Sequence, residues 1–94
     1  MLEREVEKKL VDGVRRMGGR AYKFVSPGND GVPDRIVVLP DTAPMFVELK
    51  TESGKLSRLQ KVQITRLEKL GQNVRVLYGA KDVENFLEEM WNGI

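Results

Sequence analysis

The chain has no cysteine and no histidine among its 94 residues. Disulfides, thiolate or imidazole zinc sites, cysteine nucleophiles and histidine-based triads are therefore excluded, and any metal held by these side chains is held by oxygen. Prolines are few, at four, and aromatic residues number one Trp, two Tyr and three Phe. No stretch approaches the roughly 20 apolar residues of a membrane span, and the opening Met-Leu-Glu-Arg-Glu has no apolar signal core. A cytoplasmic protein is expected. What the chain does have is charge, 32% of residues beside 40% apolar ones, the balance of a globular chain rather than a disordered one. Ninety-four residues suffice for one domain, taken as 1–94, and are too few for two.

The net charge of +2 conceals an uneven distribution. Residues 1–81 hold all 16 basic residues and ten of the 14 acids, a local balance of +6, while the last thirteen residues hold four acids and no base. A basic body suits a polyanionic partner, because each Lys or Arg set on a phosphate releases counterions.

Local signals predict an α-β-β-β-α-β-α order, a mixed sheet with helices packed against it. Residues 2–17 read as a helix closed by Gly18-Gly19. "AYKFV" (21–25) reads as a strand and "SPGNDGVP" (26–33) as a loop. "DRIVVL" and "MFVEL" form a hairpin about the turn "PDTAP". A second helix over 57–70 opens on a Ser57 to Gln60 capping box and is followed by Gly71. "VRVLY" (74–78) is the fourth strand. The last helix, 82–92, carries Val83, Phe86, Leu87, Met90 and Trp91 along one stripe. "ESGKLS" is no phosphate-binding loop of the Walker type, because Leu49 stands where the first glycine should be.

Acids sit at three places where apolar residues are expected. Asp34 heads a strand after Pro33, a place that also suits a turn aspartate bonding its own backbone. In "MFVELK" the alternation puts Met45, Val47 and Leu49 on one face and Phe46, Glu48 and Lys50 on the other, so Glu48 borders a core or lies on a solvated edge strand. On the first helix, a spacing of 100° per residue groups Glu3, Glu7, Leu10, Val14 and Met17 on one narrow face. Helix fraying and the positive end of the dipole account for Glu3 better than for Glu7, which lies more than a turn inside. A cluster of carboxylates with a lysine beside it suits a hard divalent ion such as Mg²⁺, and with it phosphodiester hydrolysis.

Pro33-Asp34, followed after thirteen residues by Glu48-Leu49-Lys50, resembles the PD-(D/E)XK nuclease signature. The chain as a whole resembles the VRR-NUC branch, the virus-type replication-repair nucleases, through an early helix Glu, "YKFVSPGNDGVPDRI", "FVELK", "GKLSRLQ" and a final "V-x-V-L" strand. The resemblance implies a restriction-endonuclease-like fold and a nuclease dependent on Mg²⁺ or Mn²⁺. Asp34 and Glu48 would be metal ligands, the Leu49 carbonyl a third, and Lys50 would stand at the attacking water. A helix acid, Glu7 with Glu3 as the alternative, and Gln60 would complete the site. Gln60, the N3 partner of the Ser57 cap, is expected to serve both places only by turning away from the cap. Lys23, Ser26, Arg35, Lys55 and Arg58 are candidate DNA contacts. Stand-alone members resemble Holliday-junction resolvases acting as homodimers on branched DNA, in a bacterial or phage-infected cytoplasm. An apolar surface is expected to pair the copies, with Met90, Trp91 and Ile94 as further candidates that could instead close the core.

Overall fold

In a computed structural model, which describes residues 1–93, the elements run α1 (Glu3–Arg16), β1 (Arg20–Lys23), β2 (Arg35–Val38), β3 (Met45–Lys50), α2 (Arg58–Lys69), β4 (Asn73–Tyr78) and α3 (Gly79–Gly93). The order is the expected one, and most boundaries fall within two residues of those read from pattern. The exception is α3, which begins three residues before the expected start at 82. Its early start is supported by the Asp82 carboxylate, which reaches back to accept the Tyr78 N–H at 2.8 Å.

The four strands form one sheet in the order β1-β2-β3-β4. The first three are antiparallel neighbours, and β4 joins β3 in parallel through the α2 crossover. β3 is thus interior, which removes the edge-strand reading of Glu48. On one face, Val37, Met45, Val47 and Leu49 pack with Val6, Leu10 and Val14 of α1 and with Val83 and Phe86 of α3, all fully or almost fully buried. Gly13 lets the two helices meet: a Cβ there would lie 2.3 Å from Leu87 Cδ1. The opposite face is covered less completely. There α2 lies along β4 without burying any residue fully, and Phe24 packs on Phe46 with ring centroids 5.6 Å apart.

The buried face of α1 differs from the expected one. It is formed by Val6, Leu10, Gly13 and Val14, so its centre is turned away from Glu7. At about 100° per residue Glu3 lies roughly 35° from that centre and Glu7 roughly 75°. Glu7 is therefore at the flank of the helix, and Glu3, a turn earlier, points closer to the sheet.

Candidate metal centre

The antiparallel ladder of β2 and β3 builds the site. Arg35 pairs with Val47 and Ile36 with Phe46, so one step further along the ladder brings Asp34, at the head of β2, beside Glu48 near the end of β3. Asp34 does not bond its own turn. Its Oδ2 accepts the Leu49 N–H at 2.9 Å, tying the loop end to the central strand. Its own carbonyl accepts the Phe24 N–H at 2.9 Å, so Asp34 is held from both sides. Pro33 just before it is fully buried, which fixes where the loop enters the strand.

Glu48 is 1% exposed, the one charged residue in the buried set among the described residues. Its Oε2 accepts from Gln60 Nε2 at 3.0 Å and lies 3.8 Å from Lys50 Nζ. Its Oε1 is buried with no hydrogen-bond partner. Burial, first, and then the neighbouring Asp34 carboxylate push the Glu48 carboxyl up to about 8, against the pull of Lys50. An orphaned buried carboxylate oxygen among other acids is costly unless a cation faces it. Oxygen atoms of Glu3, Asp34 and Glu48 all lie within 4.8 Å of one another, the one such acidic group among the described residues. This donor set, all oxygen with no nitrogen or sulfur, fits a hard divalent cation.

Gln60 serves cap and site at once without turning away from the cap. Its backbone N–H donates to Ser57 Oγ at 3.1 Å, its Oε1 accepts the Ser57 N–H at 2.8 Å, and its Nε2 donates to Glu48. The amide has an acceptor at one end and donors at the other, so cap and carboxylate use different atoms.

Of the two helix acids, Glu3 joins the carboxylate cluster, whereas the Glu7 carboxylate accepts from Arg35 Nε at 3.0 Å and pairs with its Nη2 at 3.0 Å. Arg35 also donates to the Ala21 carbonyl at 3.0 Å, so the pair pins α1 to the β1–β2 edge. Both glutamates line a cleft with Lys23, Asp34 and Leu49. Among the candidate DNA contacts, Lys23 is exposed at that cleft, Ser26 Oγ accepts from Asn29 Nδ2 at 2.9 Å, and Arg35 is committed to Glu7. Lys55 is exposed on its loop, and Arg58 is exposed at the first turn of α2. The signal that separates Glu3 from Glu7 is present in the sequence: it is the Val6, Leu10, Gly13, Val14 series, whose centre lies nearer Glu3.

The interior strand of the mixed sheet thus delivers Glu48 and Lys50 beside Asp34 from the head of its antiparallel neighbour. The profile of the VRR-NUC domain matches residues 3–81. The chain belongs to the VRR-NUC family. It is 47% identical over 85 residues to "Putative nuclease p44" of Acyrthosiphon pisum secondary endosymbiont phage 1, with 90% of each chain covered. A solved VRR-NUC domain superposes with a TM-score of 0.85 at 33% identity, covering 92% of this chain and 94% of that one. A second solved VRR-NUC domain protein shares the fold, with a TM-score of 0.75 at 21% identity over 94% of this chain and 86% of that one.

Proposed function

We propose that the chain is a divalent-metal-dependent DNA endonuclease that hydrolyses phosphodiester bonds. Membership of the nuclease family supports the reaction class. The observation that carries the metal dependence is the buried, unpartnered Oε1 of Glu48, on a carboxylate that lies with those of Glu3 and Asp34. In this reading Asp34, Glu48 and Glu3 hold Mg²⁺ or Mn²⁺, with the Leu49 carbonyl as a further oxygen. The ion would supply charge stabilisation at the scissile phosphate and acidify the attacking water. Lys50 orients that water and stabilises negative charge as it develops on the phosphate oxygens. Gln60 holds the Glu48 carboxylate in its rotamer, and Glu7, through Arg35, holds α1 so that Glu3 reaches the cluster. An intact Asp34, Glu48 and Lys50 speaks against a non-catalytic DNA-binding module on the same fold.

The substrate we infer is branched DNA, with two copies of the chain acting on a four-way junction as a resolvase does. A single site on so small a body spans few phosphates, and a two-fold pair would present two sites to two strands. Trp91 is 63% exposed and available to such a contact, whereas Met90 packs partly against the core; Ile94 lies outside the described residues. Digestion of four-way, flap and linear DNA with Mg²⁺, Mn²⁺ or chelator tests the whole reading. Metal-dependent cutting of the junction by a dimer in light scattering is expected. Cleavage of flaps or single-stranded ends by a monomer would replace the resolvase with an end-processing nuclease, and no cleavage of any DNA with either metal would remove the proposal.

A further inference from the structure

The outer face of α2 carries a basic surface that the catalytic reading does not use. Arg58, Lys61, Arg66 and Lys69 line a shallow groove with Val62 and Leu70 between them, and no acid contributes to its lining. All four cations are exposed, and none forms an ion pair with an acid among the described residues. Lys8, Lys9, Arg35, Lys50 and Arg75 each face a carboxylate, while exposed cations such as Arg15, Arg16 and Lys55 also lack one among the described residues, so what sets α2 apart is four such cations on one groove. On α2 these four bases stand against a single acid, Glu68, so the helix surface has a strong positive excess. Two copies of this face brought together would oppose like charges, which disfavours self-pairing.

The face points away from the metal centre. At about 100° per residue, Gln60 lies on the opposite side of α2 from Lys69 and Val62. A helix about 10 Å thick separates the two sides, so a straight duplex lying on the carboxylates does not also lie along the outer groove. From Arg58 to Lys69 the helix rises about 16 Å, the axial length of roughly five base pairs. Charge complementarity therefore favours the phosphate backbone of a second duplex segment.

We propose that the outer face of α2 binds a duplex arm other than the one being cut, through Arg58, Lys61, Arg66 and Lys69. This rests on the nuclease reading and adds a non-catalytic anchoring surface to it. It would give a branched substrate a second hold that a short linear duplex lacks.

The test is the salt dependence of binding to a fluorescent four-way junction, measured by anisotropy in chelator so that nothing is cut. Lys61→Gln/Lys69→Gln is compared with the parent and with Arg15→Gln/Arg16→Gln, which removes the same charge from exposed positions on α1. The α2 variant is expected to reduce the slope of log affinity against log salt by about 2, at about 0.9 per phosphate contact. The α1 variant should leave the slope within about 0.5 of the parent's. In Mn²⁺, cleavage of a straight duplex of about ten base pairs, which does not turn round α2 to its outer face, should stay within about twofold for the α2 variant. An unchanged slope, an equal loss in both variants, a parallel loss on the short duplex or a change of oligomeric state would each overturn the proposal. If the α2 variant shows the expected slope change but the parent cuts no DNA in either metal, the nuclease reading fails and the anchoring surface stands. If the parent cuts and the slope does not move, the anchoring surface alone fails.

Discussion

Glu48→Gln should stabilise the metal-free protein, and should do so more strongly as the pH rises. The carboxyl is pushed from an ordinary 4.5 to about 8 by burial and by Asp34. The folded state therefore holds a proton that the unfolded chain gives up near pH 4.5. Stability from this group is fully present below that value, falls as pH rises, and is lost once the pH passes about 8. Each tenfold difference in proton affinity is worth about 1.4 kcal/mol, so full ionisation of the folded group opposes folding by roughly 5 kcal/mol. Water entering the neighbouring cleft relaxes part of this, and about 2 to 4 kcal/mol is expected between roughly pH 5 and pH 8.5.

The glutamine of this variant would carry no charge, would keep the bond from Gln60, and would offer its own amide N–H to Asp34. Urea unfolding of parent and variant in chelator across that pH range gives the difference directly, with other titrating groups common to both. The gap should widen steadily with pH. Adding Mn²⁺ should close or reverse it, because the ion binds the ionised parent and raises its stability by mass action. Two curves that run parallel from pH 5 to 8.5 would show that Glu48 is neither buried nor crowded as described.

Asp34→Asn, Glu48→Gln and Lys50→Ala should each lower Mn²⁺-dependent cleavage of a four-way junction by at least about 10²-fold with circular dichroism unchanged; full activity in any one removes that residue from the mechanism. Glu3→Gln should weaken Mn²⁺ binding in calorimetry with little effect on unfolding. Glu7→Gln should instead lower stability by about 1 to 3 kcal/mol, since it leaves the Arg35 guanidinium 18% exposed and short of a partner, with a smaller change in metal affinity. Gln60→Ala should lower stability by roughly 1 kcal/mol or more in urea unfolding, since it removes the acceptor for the Ser57 N–H and the donor to Glu48, and should cleave slowly.

The order of elements was legible because each has its own local signal: a capping box at Ser57, glycines after α1 and α2, and alternation in "MFVELK". The convergence of Asp34 and Glu48 also follows from pattern, since a short hairpin turn aligns the head of one strand with the tail of the next. The neighbours of each acid were less legible. Whether Glu48 lay on an edge depended on β4 joining β3 in parallel through α2, a pairing between distant segments. The direction of Glu3 and Glu7 depended on where the centre of the α1 face fell, and a shift of some 40° exchanges their surroundings. Arg35 appeared as a free cation for DNA because its partners, Glu7 and the Ala21 carbonyl, are 28 and 14 residues away.

The position of Glu48 within the sheet also explains why the acid is held rather than merely present. On a loop, a carboxylate near Asp34 would turn outward and escape its charge. On β3 it cannot, because Glu48 and Leu49 are paired with Val76 and Leu77 of β4, the Leu49 N–H is held by the Asp34 carboxylate, and Leu49 is 1% exposed in the core. Turning Glu48 out would turn Leu49 out with it, since neighbouring side chains on a strand point to opposite faces. Burial of Leu49, worth about 2 kcal/mol or more, thus locks the carboxylate toward Asp34 and Gln60. The same coupling places Lys50 on the Glu48 side of the sheet, 3.8 Å from its oxygen. The apolar residue between acid and lysine is therefore part of the site: Leu49→Ala should loosen Glu48 and Lys50 together, lowering stability by about 2 to 5 kcal/mol and cleavage beyond what the unfolded fraction accounts for. Cleavage that tracks the folded fraction alone, measured at a temperature where both proteins are mostly native, would show that the strand does not transmit this constraint.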